Sequence, residues 1–486
     1  MLHQQQEDFV PASQSPIWHL VRTYYRQMGI KAWHDSAVPN YITTNPFIAS
    51  RYAKIVQGFF ADFSRSGKSY PSEDPFYIIE LGAGAGRFGY GFLKHFFSDL
   101  EMSIRDNRKF VYVMTDICKA NIDFWKHHPQ LQAFIRQGVL DFAYLDVMSP
   151  ETIELLISGR TLVAGAIKTP LAVIANYILD SLPHDLFEIR NGTLRARLIK
   201  CRMDPDADHI ADLVHRTKID YRVGDCAKDY YQNRNWNAVL NEYQKSENTL
   251  NFAIPVGGLT AIEKLSSLTT GPMFMLASDF GDSDLTSIRS LPKRKIARNG
   301  CYTARVNFHA ISRYLDRVGG RFFSPGHLKS SLETVGLVMN IRRKKLKHLS
   351  HAFQTHIRDF GPDEFFMMKK IIGRNIDGLE FEQMIGALRM SCWDAKIFSG
   401  FAWALKANLD TLDPWQKKTA VQTLRNVDDM YFRCDNTADP AIVIIDLLLT
   451  MGDATAARAL LRKNSVFLRQ SEGGRRIVNR VRALAN

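Results

Sequence analysis

Apolar runs in this chain end, repeatedly, in side chains that can accept hydrogen bonds. Phe76-Tyr-Ile-Ile-Glu80 breaks into Leu81-Gly82-Ala-Gly84-Ala-Gly86, and Lys109-Phe-Val-Tyr-Val-Met-Thr-Asp116 closes on an aspartate. Leu140-Asp-Phe-Ala-Tyr-Leu-Asp146 does the same, and Leu171-Ala-Val-Ile-Ala-Asn176 closes on an amide. Residues without Cβ let the backbone turn sharply and lie against a ligand, so Gly82, Gly84 and Gly86 suit a cradle. A carboxylate at Asp116 can accept both hydroxyls of a ribose, or else cap a helix over residues 119–127. Asp146 can accept the exocyclic amine of an adenine, with Val147 against the ring; Asp141 is a rival, and a turn-capping role is open. Beyond Asn176, the groups Asp180, His184 and Glu188 could orient a reaction partner and take its proton, with Asn176 as a hydrogen-bond partner. Each has a structural reading too: Asp180 as a helix cap, His184 as a loop histidine, Glu188 as an exposed strand residue.

These groups meet only if the strands that carry them lie side by side. Near-continuous apolar runs predict parallel strands covered on both faces, and open α/β sheets bind ligands at the carboxyl ends of their strands. A fifth run, Gly271 to Gly281, also ends in an acid, Asp279. After the glycines, Phe88, Phe92 and Phe96 fall on one helical face. Asn191-Gly192 between alternating runs predicts a hairpin. Residues 200–268 are more polar, with helical stretches near 230–243 and after 255–258. A further helix is expected over 309–318, ending at Gly319-Gly320. The alternation predicts a doubly wound, Rossmann-like α/β domain over residues 71–345, with an inserted region at about 190–268. Residues 1–70, with Trp18, Tyr24, Tyr25, Trp33, Tyr41 and Phe47, read as a helical segment. It either covers the site as a lid or packs on the sheet as an extension, and both can hold. Residues 373–486 read as a separate all-helical, interaction-type domain, in which 439–461 resembles a helix pair of the repeat kind.

Gly84-Ala-Gly86-Arg-Phe-Gly89 satisfies the dinucleotide pattern, but that pattern alone is weak. The glycines begin directly after the strand, at Gly82. Glu80 would sit badly beside a pyrophosphate and well beside a cationic amine. Asp116 lies farther along than the roughly 20 residues usual for nicotinamide binding. The expected cofactor is therefore S-adenosylmethionine, held by Glu80, Gly82, Gly84, Gly86, Asp116, Asp146, Val147 and Asn176, with no metal. A nicotinamide-dependent oxidoreductase and a non-catalytic assembly protein of the same fold are the alternatives.

The 486 residues suffice for two or three domains, and 45% of them are apolar, ample for a core. No apolar run reaches a membrane span. The first residues, Met1-Leu-His-Gln-Gln-Gln-Glu-Asp, lack the features of a leader, and the scattered cysteines show no paired spacing, so a cytoplasmic location is expected. The net charge is +13. Basic residues cluster in Arg342-Arg-Lys-Lys345-Leu-Lys347-His348 and in Arg462, Lys463, Arg469, Arg475, Arg476, Arg480 and Arg482. These are solvated helix surfaces or contacts for an acidic partner, protein or nucleic acid.

Glu80-Leu-Gly-Ala-Gly-Ala-Gly86 resembles motif I of class I methyltransferases. Ala175-Asn176-Tyr-Ile-Leu-Asp180-Ser-Leu-Pro183 is similar to the Ala-Asn-Glu-x-x-Asp-Ala-Leu-Pro segment of MidA-like methyltransferases. That family includes the mitochondrial arginine methyltransferase that assists complex I assembly. Asp279-Phe-Gly281 and Thr303-Ala-Arg-Val-Asn307-Phe308 resemble two further stretches of it. The likeness covers about residues 40–340; Tyr177 replaces the family's Glu, and the helical C-terminal part lies outside the family core. The resemblance implies methyl transfer from S-adenosylmethionine to a protein side chain, an arginine nitrogen.

Overall fold

In a computed structural model of the chain, the described residues are 8–36, 41–64, 74–98, 109–204, 206–290, 295–326, 332–341, 345–434 and 439–483. The basic run at 342–344, the loop before Lys109 and the start of the Pro39-Asn40 loop lie outside them. The chain divides into two compact units. The first is Met1–Thr43, Ile55–Ala85 and Leu100–Asp359; the second is Thr44–Lys54, Gly86–Asp99 and Phe360–Asn486.

Unit one begins with helix α1 (Ile17–Met28), whose buried face carries Trp18, Val21 and Tyr24. Helix α2 (Pro46–Ser64) follows, of which the part from Ile55 belongs to this unit. Strand β1 (Phe76–Leu81) is buried at every position, as the run of apolar residues requires. The 82–86 turn leads to helix α3 (Arg87–Ser98). Strand β2 (Phe110–Asp116), helix α4 (Lys119–His127), strand β3 (Leu140–Tyr144) and strand β4 (Leu171–Asn176) come next. Strands β5 (Asp185–Arg190), β6 (Thr193–Arg202) and β7 (Lys218–Asp225), helix α5 (Arg234–Ser246) and strand β8 (Thr249–Ile254) occupy the inserted region. Helix α6 (Val256–Ser267) and strand β9 (Met273–Asp279) return to the main sheet. Helix α7 (Phe308–Val318) and strands β10 (Arg321–Phe323) and β11 (Glu333–Met339) complete it.

The seven-stranded sheet has the order β10-β11-β9-β4-β1-β2-β3. Strands β3, β2, β1, β4 and β9 run parallel, and β11 is antiparallel to both β9 and β10. This is the expected doubly wound, Rossmann-like sheet. Its strand order reverses between β1 and β4, and a crevice opens at such a switch point. Aromatic side chains of α2 cover one face: Phe60 stacks on Phe76 at 4.8 Å, and Phe59 meets Phe274 at 5.3 Å. Asp62, on the same helix, accepts from the backbone of His348 and Leu349.

The insertion is a four-stranded antiparallel sheet, β8-β5-β6-β7. Its β5–β6 hairpin turns on Asn191 and Gly192, with φ of 50° and 73°, as the Asn-Gly pair predicts.

Unit two includes α3, where Phe92 and Phe96 stack at 5.3 Å. Its other helices include α8 (Pro362–Arg374), α9 (Phe381–Met390), α10 (Ala395–Ala407), α11 (Pro414–Met430), α12 (Pro440–Thr450), α13 (Ala454–Lys463) and α14 (Glu472–Ala483). The α12–α13 pair reverses at Gly452, and Asp439 and Asp453 cap the two helices. Among the described residues no helix is long and apolar enough to cross a membrane.

Candidate functional site

A cleft of about 110 Å³ opens at the carboxyl ends of β1, β2, β3 and β4. Its walls carry Gly82, Asp116, Asp146, Val147 and Asn176, five of the residues singled out from the sequence. Each follows or ends a parallel strand, so the sheet register brings them together.

The turn after β1 depends on its glycines. Gly82 and Gly84 have φ of 60° and 55°, in the left-handed region that favours residues without Cβ. A Cβ on Gly82 would stand 2.6 Å from Cδ1 of Ile178, itself on the cleft wall. Gly86, with φ of 83°, belongs to the second unit.

Asp116 organises the turn. Its Oδ2 accepts from Gly84 N at 3.0 Å and Asn121 Nδ2 at 3.1 Å, and its Oδ1 accepts from Cys118 N at 2.8 Å. The Ile117 N–H is a fourth donor to this carboxylate, which offers about four acceptor positions, so a ligand hydroxyl at the cleft would share or displace one of these donors. It is not the cap of α4, whose N-cap is Cys118. Burial pushes its carboxyl up, and the hydrogen bonds from Cys118, Asn121 and Gly84 pull it back.

Asp146 uses Oδ1 to accept from Met148 N at 3.0 Å, and its Oδ2 stands 3.6 Å from the Arg22 guanidinium of α1. The rival Asp141 commits both oxygens to backbone N–H groups of Phe142, Ile157 and Ser158. Asp141 is thus wholly committed to backbone, whereas Asp146 caps the turn at Met148 with one oxygen and also lines the cleft.

Gly84 and Gly86 are not on the cleft wall, and the predicted side chains of Glu80, His184 and Glu188 lie elsewhere. Glu80 is buried, and its Oε2 accepts from the Tyr112 hydroxyl at 2.9 Å. It does not line the cleft, so it discriminates neither for a cationic amine nor against a pyrophosphate. The sequence places it two residues before the turn, but the strand pleat turns it away. His184 is fully buried beside Trp18, 6.0 Å between rings, with Nδ1 on the Leu182 carbonyl at 2.8 Å. Glu188 sits in β5, paired in register with Arg195 and Asn251 within the inserted sheet. Neither reaches the cleft.

Asp180 stands just behind the wall. Ser181 lines the cleft, and its hydroxyl donates to Asp180 Oδ1 at 2.9 Å. Asp279, at the end of β9, accepts from Leu179 N at 2.8 Å and Asp180 N at 3.2 Å. Burial raises the Asp180 carboxyl to about 6, and burial, with the nearby Asp180 charge, raises Asp279 well above the carboxylate range.

The sequence reading missed Val21, Arg22 and Tyr25, which bring α1 across the cleft. It had a lid as one of its two expectations but no period or motif to say which α1 residues would face inward. It also noted Tyr177 only as a departure from a family pattern. Tyr177 lines the cleft with φ of 54°, an uncommon conformation for a non-glycine residue and one enriched at functional positions.

Burial raises the Glu80 carboxyl from an ordinary 4.5 to about 8. Its folded value exceeds its unfolded one, so the stability it lends is full below pH 4.5 and is lost as pH rises through about 8. Glu80→Gln keeps an acceptor for Tyr112. It is expected to stabilise the protein by on the order of a few kcal/mol at about pH 9 and by little at about pH 5. Thermal melts at the two pH values check this, and an equal gain at both contradicts it.

No protein-family profile matches the chain, and no curated protein matches it. Among solved structures, it is similar to a COG1565 superfamily protein from Burkholderia thailandensis bound to S-adenosyl-homocysteine. That likeness has 13% identity and a TM-score of 0.44, covering 71% of this chain and 90% of that one. An uncharacterized protein of the same superfamily and organism gives 13% identity and a TM-score of 0.41, over 69% and 88%. A SAM-dependent methyltransferase from Bacteroides fragilis, in complex with S-adenosyl-L-homocysteine, gives 11% and 0.24, over 69% and 98%.

Proposed function

We propose that this chain is an S-adenosylmethionine-dependent methyltransferase acting on a protein side chain, with an arginine nitrogen as the acceptor suggested by the family resemblance. One observation carries the reading: Gly82, Asp116, Asp146 and Asn176, from the ends of adjacent parallel strands, line a single cleft at the switch point of the sheet.

The donor set fits that cofactor. Asp116 offers an acceptor for ribose hydroxyls, Asp146 an acceptor for an exocyclic amine, and Leu145, Ile117 and Val147 an apolar wall for the base. Gly82 leaves no side chain where a Cβ would clash. The cofactor supplies an electrophilic methyl group on a sulfonium; the protein's task is alignment. At about 110 Å³ the cleft is smaller than the ~300 Å³ lower bound of ordinary ligand pockets, so α1 withdraws when a nucleoside enters. A dinucleotide would demand a larger opening.

A guanidinium is protonated in water, and the transfer must remove a proton. Ser181 lines the cleft and bonds Asp180, which makes Asp180 the proton acceptor in this reading. His184 and Glu188 have no part in it. Asp180→Asn is therefore expected to lower turnover by about 10²–10⁴-fold, and the native enzyme to lose rate as pH falls through about 6. Transfer of labelled methyl from S-adenosylmethionine to cell-lysate proteins, with the acceptor mapped by mass spectrometry, tests both. Label on arginine that depends on Asp180 is the expected result. Binding of S-adenosylhomocysteine without any transfer would instead favour a non-catalytic assembly protein.

A further inference from the structure

The second unit holds a groove of about 800 Å³ between α9, α11 and the turn before α13. Its walls carry two tryptophans, Trp393 and Trp415, and four cations, Arg389, Lys417, Lys418 and Arg425. Trp415 is 65% exposed, an unusual position for so large an apolar ring. Trp393 is partly exposed and follows Cys392; both have positive φ, 54° and 68°. Two successive non-glycine residues in the left-handed region hold the Trp393 backbone at the groove, where its N–H donates to the Leu388 carbonyl at 2.7 Å.

The charges around the groove are unbalanced in availability. Asp453, on its wall, accepts from Ala456 N and caps α13. Asp413 likewise caps α11 through Gln416 N, and Glu382 accepts from the Gln416 amide. The four cations make no ion pair among the described residues. The acids are committed to helix caps and an amide, and the cations remain available to an anion.

We propose that this groove binds single-stranded nucleic acid, with bases stacked on Trp393 and Trp415 and phosphates on Arg389, Lys417, Lys418 and Arg425. The cations alone would serve any polyanion. The two indoles favour a strand of bases over an acidic peptide, because every base has a face to stack and a carboxylate has none. The groove's open walls suit a continuous strand. This site is independent of the methyl-transfer reading, since all its residues belong to the second unit.

Titration of the full chain with an oligouridylate of about 12 nucleotides, read by tryptophan fluorescence, tests the assignment. The expected result is quenching with saturable binding that weakens steeply between about 50 and about 200 mM salt. Trp415→Ala should weaken binding by roughly tenfold or more, Trp415→Phe by less, and Lys417→Glu with Lys418→Glu should weaken it and flatten the salt dependence. Unchanged circular dichroism and unchanged S-adenosylhomocysteine affinity show that the variants are folded. The proposal is overturned if the oligonucleotide fails to bind at low salt, or if the variants bind as native. It is equally overturned if oligoglutamate quenches the tryptophans and the oligonucleotide does not, or if duplex binds more tightly than single strand.

Discussion

Asp116→Ala is expected to weaken S-adenosylhomocysteine binding by at least about 100-fold, roughly 2.7 kcal/mol. The substitution removes the acceptor offered to the ribose. It also deprives Gly84 N, Cys118 N and Asn121 Nδ2 of their partner. Those groups sit in the turn that must lie against the ligand, so pre-organisation is lost together with a direct contact. Asp146→Ala should cost less, about tenfold, because it frees Arg22 of α1 and leaves one backbone N–H, that of Met148, without its acceptor, where Asp116→Ala leaves at least three donors. Isothermal titration of both variants checks the order. Native-like affinity in Asp116→Ala would remove Asp116 from the site.

The second large effect concerns stability. Asp279→Ala is expected to destabilise the first unit by about 3–5 kcal/mol. Asp279 takes backbone N–H groups from Leu179, Asp180 and Phe280, fastening the loop after β4 to the end of β9. Alanine leaves these buried donors without an acceptor, each at a cost of about 1–3 kcal/mol. The carboxyl is itself held above its ordinary range by burial and the Asp180 charge, so its contribution is full at low pH and lost as pH rises. The destabilisation should therefore be larger at about pH 5 than at about pH 8. Denaturant unfolding at both pH values measures it. A loss below about 1 kcal/mol at pH 5 would mean the loop stands without Asp279.

Much of this arrangement is legible in the sequence, because buried parallel strands are written as apolar runs with a polar stop. Phe76–Leu81, Phe110–Asp116, Leu171–Asn176 and Met273–Asp279 each stand within a residue or two of the reading. Asp116, Asp146 and Asn176 line the cleft because a strand end is a position that chain order defines. What the sequence does not carry is direction and depth. Glu80 occupies the right strand and the wrong face. His184 sits in a loop whose surroundings, Trp18 above all, come from a segment far away in the chain. Glu188 belongs to the hairpin marked by Asn191-Gly192, and the hairpin carries it into the second sheet. The α1 residues Arg22 and Tyr25 escape for the same reason: their partners, Asp146 and Ser181, are joined to them only by the tertiary fold.

The central claim, that the cleft beside Gly82 holds S-adenosylmethionine, is tested most directly by calorimetric titration of the full chain with S-adenosylhomocysteine and, separately, with NADH. Gly82→Val serves as the control, since its side chain would meet Ile178 and fill the cradle. The account predicts saturable one-to-one binding of S-adenosylhomocysteine by the native protein, no such binding by Gly82→Val, and none of NADH by either. Binding of NADH alone, or equal S-adenosylhomocysteine binding by native protein and Gly82→Val, would contradict it.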